Sequence, residues 1–315
     1  MRTNRTTALP RITAAAAAAL FLAGCSSRDA MDYLPEMPAY LAFNADHARS
    51  TAGGQRLLEA ASKMQPEAAS LMQGKLKKLY VGVDSPGAPG AHGAGQRPAG
   101  GGCAVAIGDG GFAKYASDQF RLHGATEQKM SGRKVLTSGT ISLCPVGDNG
   151  VIVFSRAQDL DKMLRTSQKK NPSARQSAPF KTTEALAASH AFVMVTDWSQ
   201  VLSLIGNQLN QVTALSPKGV EALKQVRAAS VAMDWDEQPL VQATLHLPNA
   251  EGRDDLAGLV NIAMGLAGRM KPKGADPKLL SMLDDLKAET SEEGVTIKLT
   301  VPKETADAWL SKAAR

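Results

Sequence analysis

Two parts of the chain carry the same order of predicted secondary structure, and this repeated order limits the possible folds more than any other feature. Each part consists of a strand, helices, two strands, a helix, a strand and a final helix. Residues 40–44 correspond to 192–196 as the first strand, and residues 78–84 correspond to 231–236 as the second. Leu79, Val81 and Val83 occupy alternate positions in one of these segments, as is typical of a strand with one buried face. Such a mixture of paired strands and helices predicts an α+β fold.

The βαββαβ order within each part predicts a ferredoxin-like unit with an antiparallel sheet. We therefore expect two tandem ferredoxin-like units, in residues 39–166 and 190–315. Residues 167–189 between them form a predicted basic linker. Sequence identity between the two parts is faint, so an internal duplication is a hypothesis that depends on element order alone.

The beginning of the chain has the features of an export signal. Arg2, Arg5 and Arg11 occur without any acidic residue and precede an apolar run at 12–23. This run has about a dozen residues, whereas a helix needs about 20 to cross a bilayer. The pattern therefore predicts a cleaved signal peptide over residues 1–24 rather than a membrane-spanning helix.

The end of this run resembles the lipobox of bacterial lipoproteins, because Leu22, Ala23 and Gly24 directly precede Cys25. The resemblance implies cleavage by signal peptidase II before Cys25, a diacylglyceryl group on its thiol, and a further acyl chain such as palmitate on its amino group. Ser26 stands where an aspartate favours inner-membrane retention, so the resemblance implies the outer membrane, facing the periplasm. The alternative is an ordinary secretory signal that contains a cysteine.

The mature chain is close to neutral, which argues against binding to nucleic acid. The full sequence has a formal net charge of +6, and removal of the signal peptide takes away three arginines and no acid, leaving +3. The predicted partners are the bilayer, through acylated Cys25, and another envelope protein, a lipid or a glycan. Residues 25–38, which include Pro35 and Pro38, are predicted to be a tether that spans at most about 45 Å.

Cys103 and Cys144 remain as a pair after lipidation of Cys25. Because the periplasm is oxidising, the pair predicts a disulfide, and two unpaired buried thiols are the alternative. Neither cysteine has a Cys or His at ligand spacing, so we predict no metal site.

Two further segments have an unusual composition but contain no catalytic motif. Residues 85–102 are rich in Gly and Pro and lack the Lys-Ser or Lys-Thr of a phosphate-binding loop, so a flexible hairpin loop is predicted. Residues 162–181 carry six cations and no acid; this segment is either a solvated linker or a contact for anionic lipid or polysaccharide. The five histidines show no pair at helical spacing.

These observations predict a non-enzymatic binding or structural module of the cell envelope, with no catalytic residue, cofactor or metal assigned. The alternatives are an envelope hydrolase whose site is assembled from dispersed residues, and a lipid carrier. A pocket with convergent polar groups would favour the enzyme. An exposed apolar groove or sheet face would favour binding.

Overall fold

The computed structural model describes residues 29–64, 74–84, 102–203, 216–236, 238–269, 282 and 286–313. The predicted signal peptide, Cys25 and all but the last residue of the Gly/Pro-rich stretch lie outside the described residues. Within the described part, no helix combines the length and the apolar character that crossing a membrane requires.

The described elements are strands, α-helices and short 3-10 helices. The strands are β1 Ala39–Asn44, β2 Leu76–Val83, β3 Gly102–Gly108, β4 Thr126–Met130, β5 Arg133–Ser138, β6 Ile141–Val146, β7 Gly150–Phe154, β8 Phe192–Asp197, β9 Ala228–Asp234, β10 Leu240–His246, β11 Ala288–Thr290 and β12 Gly294–Thr300. The α-helices are α1 Ala45–Ser50, α2 Ala52–Met64, α3 Phe112–Leu122, α4 Ala157–Ser167, α5 Ala178–Leu186, α6 Pro217–Lys224, α7 Arg253–Arg269 and α8 Lys303–Ala313. Two 3-10 helices are η1 Ala30–Tyr33 and η2 Ala174–Gln176.

The strands of the described chain form one sheet in the order β11-β12-β10-β9-β8-β1-β2-β3-β7-β6-β5-β4. Every pair of neighbours in this sheet is antiparallel. The α+β class with antiparallel strands is therefore confirmed.

The ferredoxin-like arrangement is wrong. A split βαβ unit needs strands that lie parallel after a single-helix crossover. Here β2 pairs antiparallel with β1, so the chain enters β2 at the end of the sheet at which it left β1. Two separate sheets are also absent from the described chain, because β1 and β8 pair along residues 39–43 and 192–196 and join both halves into one sheet.

The two halves nevertheless share a strand order. In the first half, β1, β2 and β3 are consecutive neighbours, and β7 returns to pair with β3. In the second half, β8, β9 and β10 are consecutive neighbours, and β12 returns to pair with β10. The two first strands, β1 and β8, meet at the middle of the sheet, so the strand order reads outward in the same way on both sides.

Both faces of the sheet are covered by helices. Successive residues of a strand point to opposite faces, and Val105 packs into a core with η1, α4 and α5, whereas Ala106 packs with α1 and α3. In the second half, Ala228 belongs to the first core, and its neighbour Ala229 packs with α6 and α7. The first face therefore carries η1, α4 and α5, and the opposite face carries α1, α3, α6 and α7.

The predicted tether is mostly folded. In η1 and just after it, Tyr33, Leu34 and Met37 are buried in the core of the first face. Tyr40, in β1, fixes this segment, because its hydroxyl accepts from the Met37 backbone N–H at 2.7 Å and donates to the Pro35 carbonyl at 3.2 Å. Because these apolar side chains are buried, this segment is folded and is not the extended tether that Pro35 and Pro38 suggested.

The predicted basic linker is folded as well. Residues 167–189 contain the end of α4, η2 and all of α5. Phe180 of α5 is fully buried, and its ring centroid lies 5.2 Å from that of Tyr40 and 5.5 Å from that of Tyr80. The apolar face of α5 packs on the sheet, while the cations of this segment remain at the surface.

Candidate functional site

The first candidate site is an open cleft of about 760 Å³ next to the start of the described chain. It is lined by the end of α4 and the following turn, with Asp32 of η1 on one side; the lining residues are Asp32, Thr166, Ser167, Gln168, Lys169, Lys170, Asn171, Pro172, Ser173, Arg175 and Gln176. The guanidinium of Arg175 contacts the carboxylates of both Asp29 and Asp32. The cleft therefore lies beside the point at which the folded chain begins.

Three exposed cations surround the turn at this cleft. Arg165, Lys169 and Lys170 are all exposed, and among the described residues none has a carboxylate within 4 Å. The turn closes α4 as a Schellman motif. The backbone N–H of Lys170 donates to the Arg165 carbonyl at 2.9 Å, and the backbone N–H of Lys169 donates to the Thr166 carbonyl at 2.8 Å. This motif holds the backbones of the three cationic residues next to one another.

Lys169 occupies a position that usually belongs to glycine. Its φ is 60°, in the left-handed region, where a Cβ atom costs about 1 kcal/mol. We therefore expect Lys169→Gly to raise the free energy of unfolding by about 1 kcal/mol, as measured by urea denaturation. Lys170→Gly, in the same turn but at negative φ, is the control and should not stabilise the protein. Equal effects of the two substitutions would contradict the left-handed assignment.

The second candidate site is an apolar row across the centre of the sheet. Leu41 of β1 lies opposite Val81 of β2 and opposite Met194 of β8, and Met194 lies opposite Val231 of β9. Residues that oppose each other in an antiparallel pair share a face, so these four side chains form one line. The row continues outward through Ala104, Val153, Ala243 and Ile297.

The centre of this row is accessible to solvent. Met194 is 38% exposed, and Leu41, Val81 and Val231 are half-buried. By contrast, Val193 and Val195 on the other face of β8 are fully buried. The middle of the sheet thus has a closed face and a partly open apolar face.

A polar cluster, which the sequence analysis missed, joins the two halves of the chain. The Asp234 carboxylate lies 2.6 Å from Nδ1 of His190 and 3.3 Å from Nε2 of His47, and it accepts from the Ala191 N–H at 3.2 Å. His47 and His190 are 143 positions apart in the sequence, so only knowledge of the strand order would have brought them together. The described residues contain no group of three or more His, Cys, Asp or Glu side chains placed to hold a metal ion. This cluster links α1 to β9 through the close contact of His47 with Asp234.

The predicted disulfide is wrong, because Cys103 and Cys144 are both free and buried. Cys103 of β3 lies opposite Phe154 of β7, and Cys144 of β6 lies opposite Ile152 of the same strand. With β7 between them, the two backbones are about 10 Å apart, beyond the reach of about 7 Å that a disulfide allows. Burial raises the pKa of Cys103 to about 12 and also raises the pKa of Cys144. Both side chains are therefore neutral core thiols, as the alternative prediction had it.

Comparison with known proteins shows a distant likeness of fold. No sequence-family model matches the chain, and no curated protein matches it significantly. The structure is similar to crystal forms I and III of a protein named TP0453, with TM-scores of 0.48 and 0.49 and 12% identity in both cases. The alignments cover 91% of this chain and 98% and 99% of those chains. With TM-scores below 0.5, this likeness carries no inference about the chain.

Proposed function

We propose that this chain is a lipid-anchored protein of the bacterial cell envelope, held by acylated Cys25 in the outer membrane and facing the periplasm. Its folded body is a non-enzymatic binding module for a ligand with an apolar part. The lipobox-like residues Leu22, Ala23 and Gly24 before Cys25 support the anchor. The observation that carries the binding function is the partly open apolar row of Val81, Leu41, Met194 and Val231.

The position of this row is the reason for assigning it to binding. A sheet that carries helices on both faces normally buries its central strands most deeply, because they are farthest from the edges. Here the central pair, β1 and β8, leaves Met194 exposed in the middle of the row. A contiguous apolar surface that remains accessible marks a binding site more often than a structural one. Methionine is flexible and adapts its shape to different apolar partners.

Photocrosslinking in intact envelopes tests this proposal. A diazirine amino acid at position 194 should give a discrete crosslinked product, and the same amino acid at position 141 should not. Ile141 is a matched control because it is an apolar strand residue with 49% exposure that lies outside the row. A product of equal yield and composition at both positions would contradict the proposal.

A polar substitution within the row provides the second half of the test. Val231→Thr keeps the shape of the side chain and places a hydroxyl on the row, so we expect about a tenfold weaker yield of the crosslink at position 194. Ile141→Thr, which also introduces a hydroxyl but outside the row, should leave that yield unchanged. If the crosslink yield at position 194 were undiminished in Val231→Thr, the captured molecule would not be bound at the row.

We also infer that the two halves descend from one duplicated unit. The support is the shared strand order, in which β1, β2, β3 and β7 correspond to β8, β9, β10 and β12. Superposition of the two halves tests this inference, and helices that fail to overlay when these strands are aligned would contradict it.

A further inference from the structure

We propose that Arg165, Lys169 and Lys170 form a docking surface for the anionic headgroups of the membrane in which Cys25 is anchored. This inference deepens the proposed function and depends on its lipid anchor. It assigns an orientation to the folded body, with the end of α4 and the following turn against the bilayer.

The length of chain between the anchor and the body is the first support. Asp29, the first described residue, is four positions after Cys25, and this stretch spans at most about 14 Å. If residues 25–38 formed an extended tether, the folded body could lie up to about 45 Å from the anchor and could take any orientation. Because Tyr33, Leu34 and Met37 are packed into the core, the side of the body that carries Asp29 has to stay near the headgroups.

The second support is that the cationic turn is fixed to this same side. The Ala174 N–H donates to the Leu34 carbonyl at 2.9 Å, and the Glu36 N–H donates to the Pro172 carbonyl at 3.0 Å. Arg175 adds its contacts with Asp29 and Asp32. The turn is therefore attached along the segment that leads to the anchor, and its cations are carried toward the membrane with it.

Charge is the third support. Asp29 and Asp32 contact Arg175 and leave one negative charge, whereas Arg165, Lys169 and Lys170 are exposed cations without a carboxylate partner in the described part of the chain. Together these six groups carry a net charge of +2. Each cation near an anionic surface favours the docked state about fivefold. All three lie next to one another at the end of α4, within the range of about 8 Å over which charges act at physiological salt. Lys169 also has a strained backbone conformation, and such strain often occurs at functional positions.

The experiment uses the lipidated protein in vesicles, after mass spectrometry has verified the lipid on Cys25. An environment-sensitive dye is attached to Gln168→Cys, which lies in the turn; Cys103 and Cys144 are buried and do not react. We expect the dye emission to shift to shorter wavelength in vesicles of phosphatidylcholine and phosphatidylglycerol, but not in phosphatidylcholine alone. High salt should reverse the shift, because it shortens the range of the attraction.

Paired variants separate docking from a general effect of charge. Lys169→Gly combined with Lys170→Gln should lower the ratio of docked to undocked protein about 25-fold on phosphatidylglycerol vesicles. Lys218→Gln combined with Lys303→Gln removes the same charge from α6 and α8 and should leave the ratio unchanged. If Cys25 carries no lipid, the proposed function fails. If Cys25 carries lipid and the emission is the same in both kinds of vesicle, or both double variants lose docking equally, the docking surface is refuted.

Discussion

Replacement of Phe180 by alanine should lower the free energy of unfolding by about 3–5 kcal/mol. The Phe180 side chain has no exposed surface and packs edge-on against Tyr40 at 5.2 Å and at a tilt of 57° against Tyr80. Its removal would leave a cavity between two tyrosines that are anchored in β1 and β2. These rings cannot close it without moving the sheet, so the loss should lie in the upper part of the range for large-to-small substitutions.

Urea denaturation of the purified lipidated protein in detergent measures this effect. Phe180→Leu should cost less, about 1.5 kcal/mol, because it keeps most of the buried volume. Leu122→Ala is the surface control, since Leu122 is 77% exposed, and should change stability by less than about 0.5 kcal/mol. A cost for Phe180→Ala as small as that of the control would mean that residues 167–189 are a linker after all.

The environment of Phe180 also shows which structural features a sequence pattern can predict and which it cannot. Alternation correctly predicted strands near β2, β10 and β12, because one buried face leaves a period of two in the sequence. The burial of Phe180 leaves no such trace: it is a single aromatic residue among cations, and the density of charge in 162–181 concealed it. In the same way, the stretch with Tyr33, Leu34 and Met37 is too short to show a clear period, and Pro35 and Pro38 suggested an extended tether.

Strand order was the property that the sequence analysis could not supply. The pairing of β1 with β8 joins residues 149 to 157 positions apart, and no local pattern encodes it. The disulfide prediction failed for this reason, because β7 lies between the two cysteine-bearing strands. For the same reason, the sequence could not predict two features of the structure. These are the apolar row through Leu41 and Met194 and the cluster of His47, His190 and Asp234. Both exist only because distant strands are neighbours.

Replacement of Cys25 by alanine should abolish incorporation of labelled palmitate and release the protein from the membrane. Each buried CH₂ group contributes about 0.8 kcal/mol to membrane binding, and one chain alone holds a protein only marginally. The lipobox resemblance implies several chains on Cys25, so their loss should change retention from nearly complete to nearly none. The measurement is fractionation of envelopes at high salt, combined with palmitate labelling.

Control variants make this test specific for the anchor. Cys103→Ala and Cys144→Ala each remove one thiol from the buried core and should keep both the label and membrane retention. High salt matters because the cations at the end of α4 would hold part of the unlipidated protein on anionic membranes at low salt. Retention of Cys25→Ala at high salt would refute the lipid anchor, since screened surface charges cannot replace several acyl chains. Release that occurs only at high salt would support both the anchor and the docking surface, because each is then needed for a different part of membrane binding.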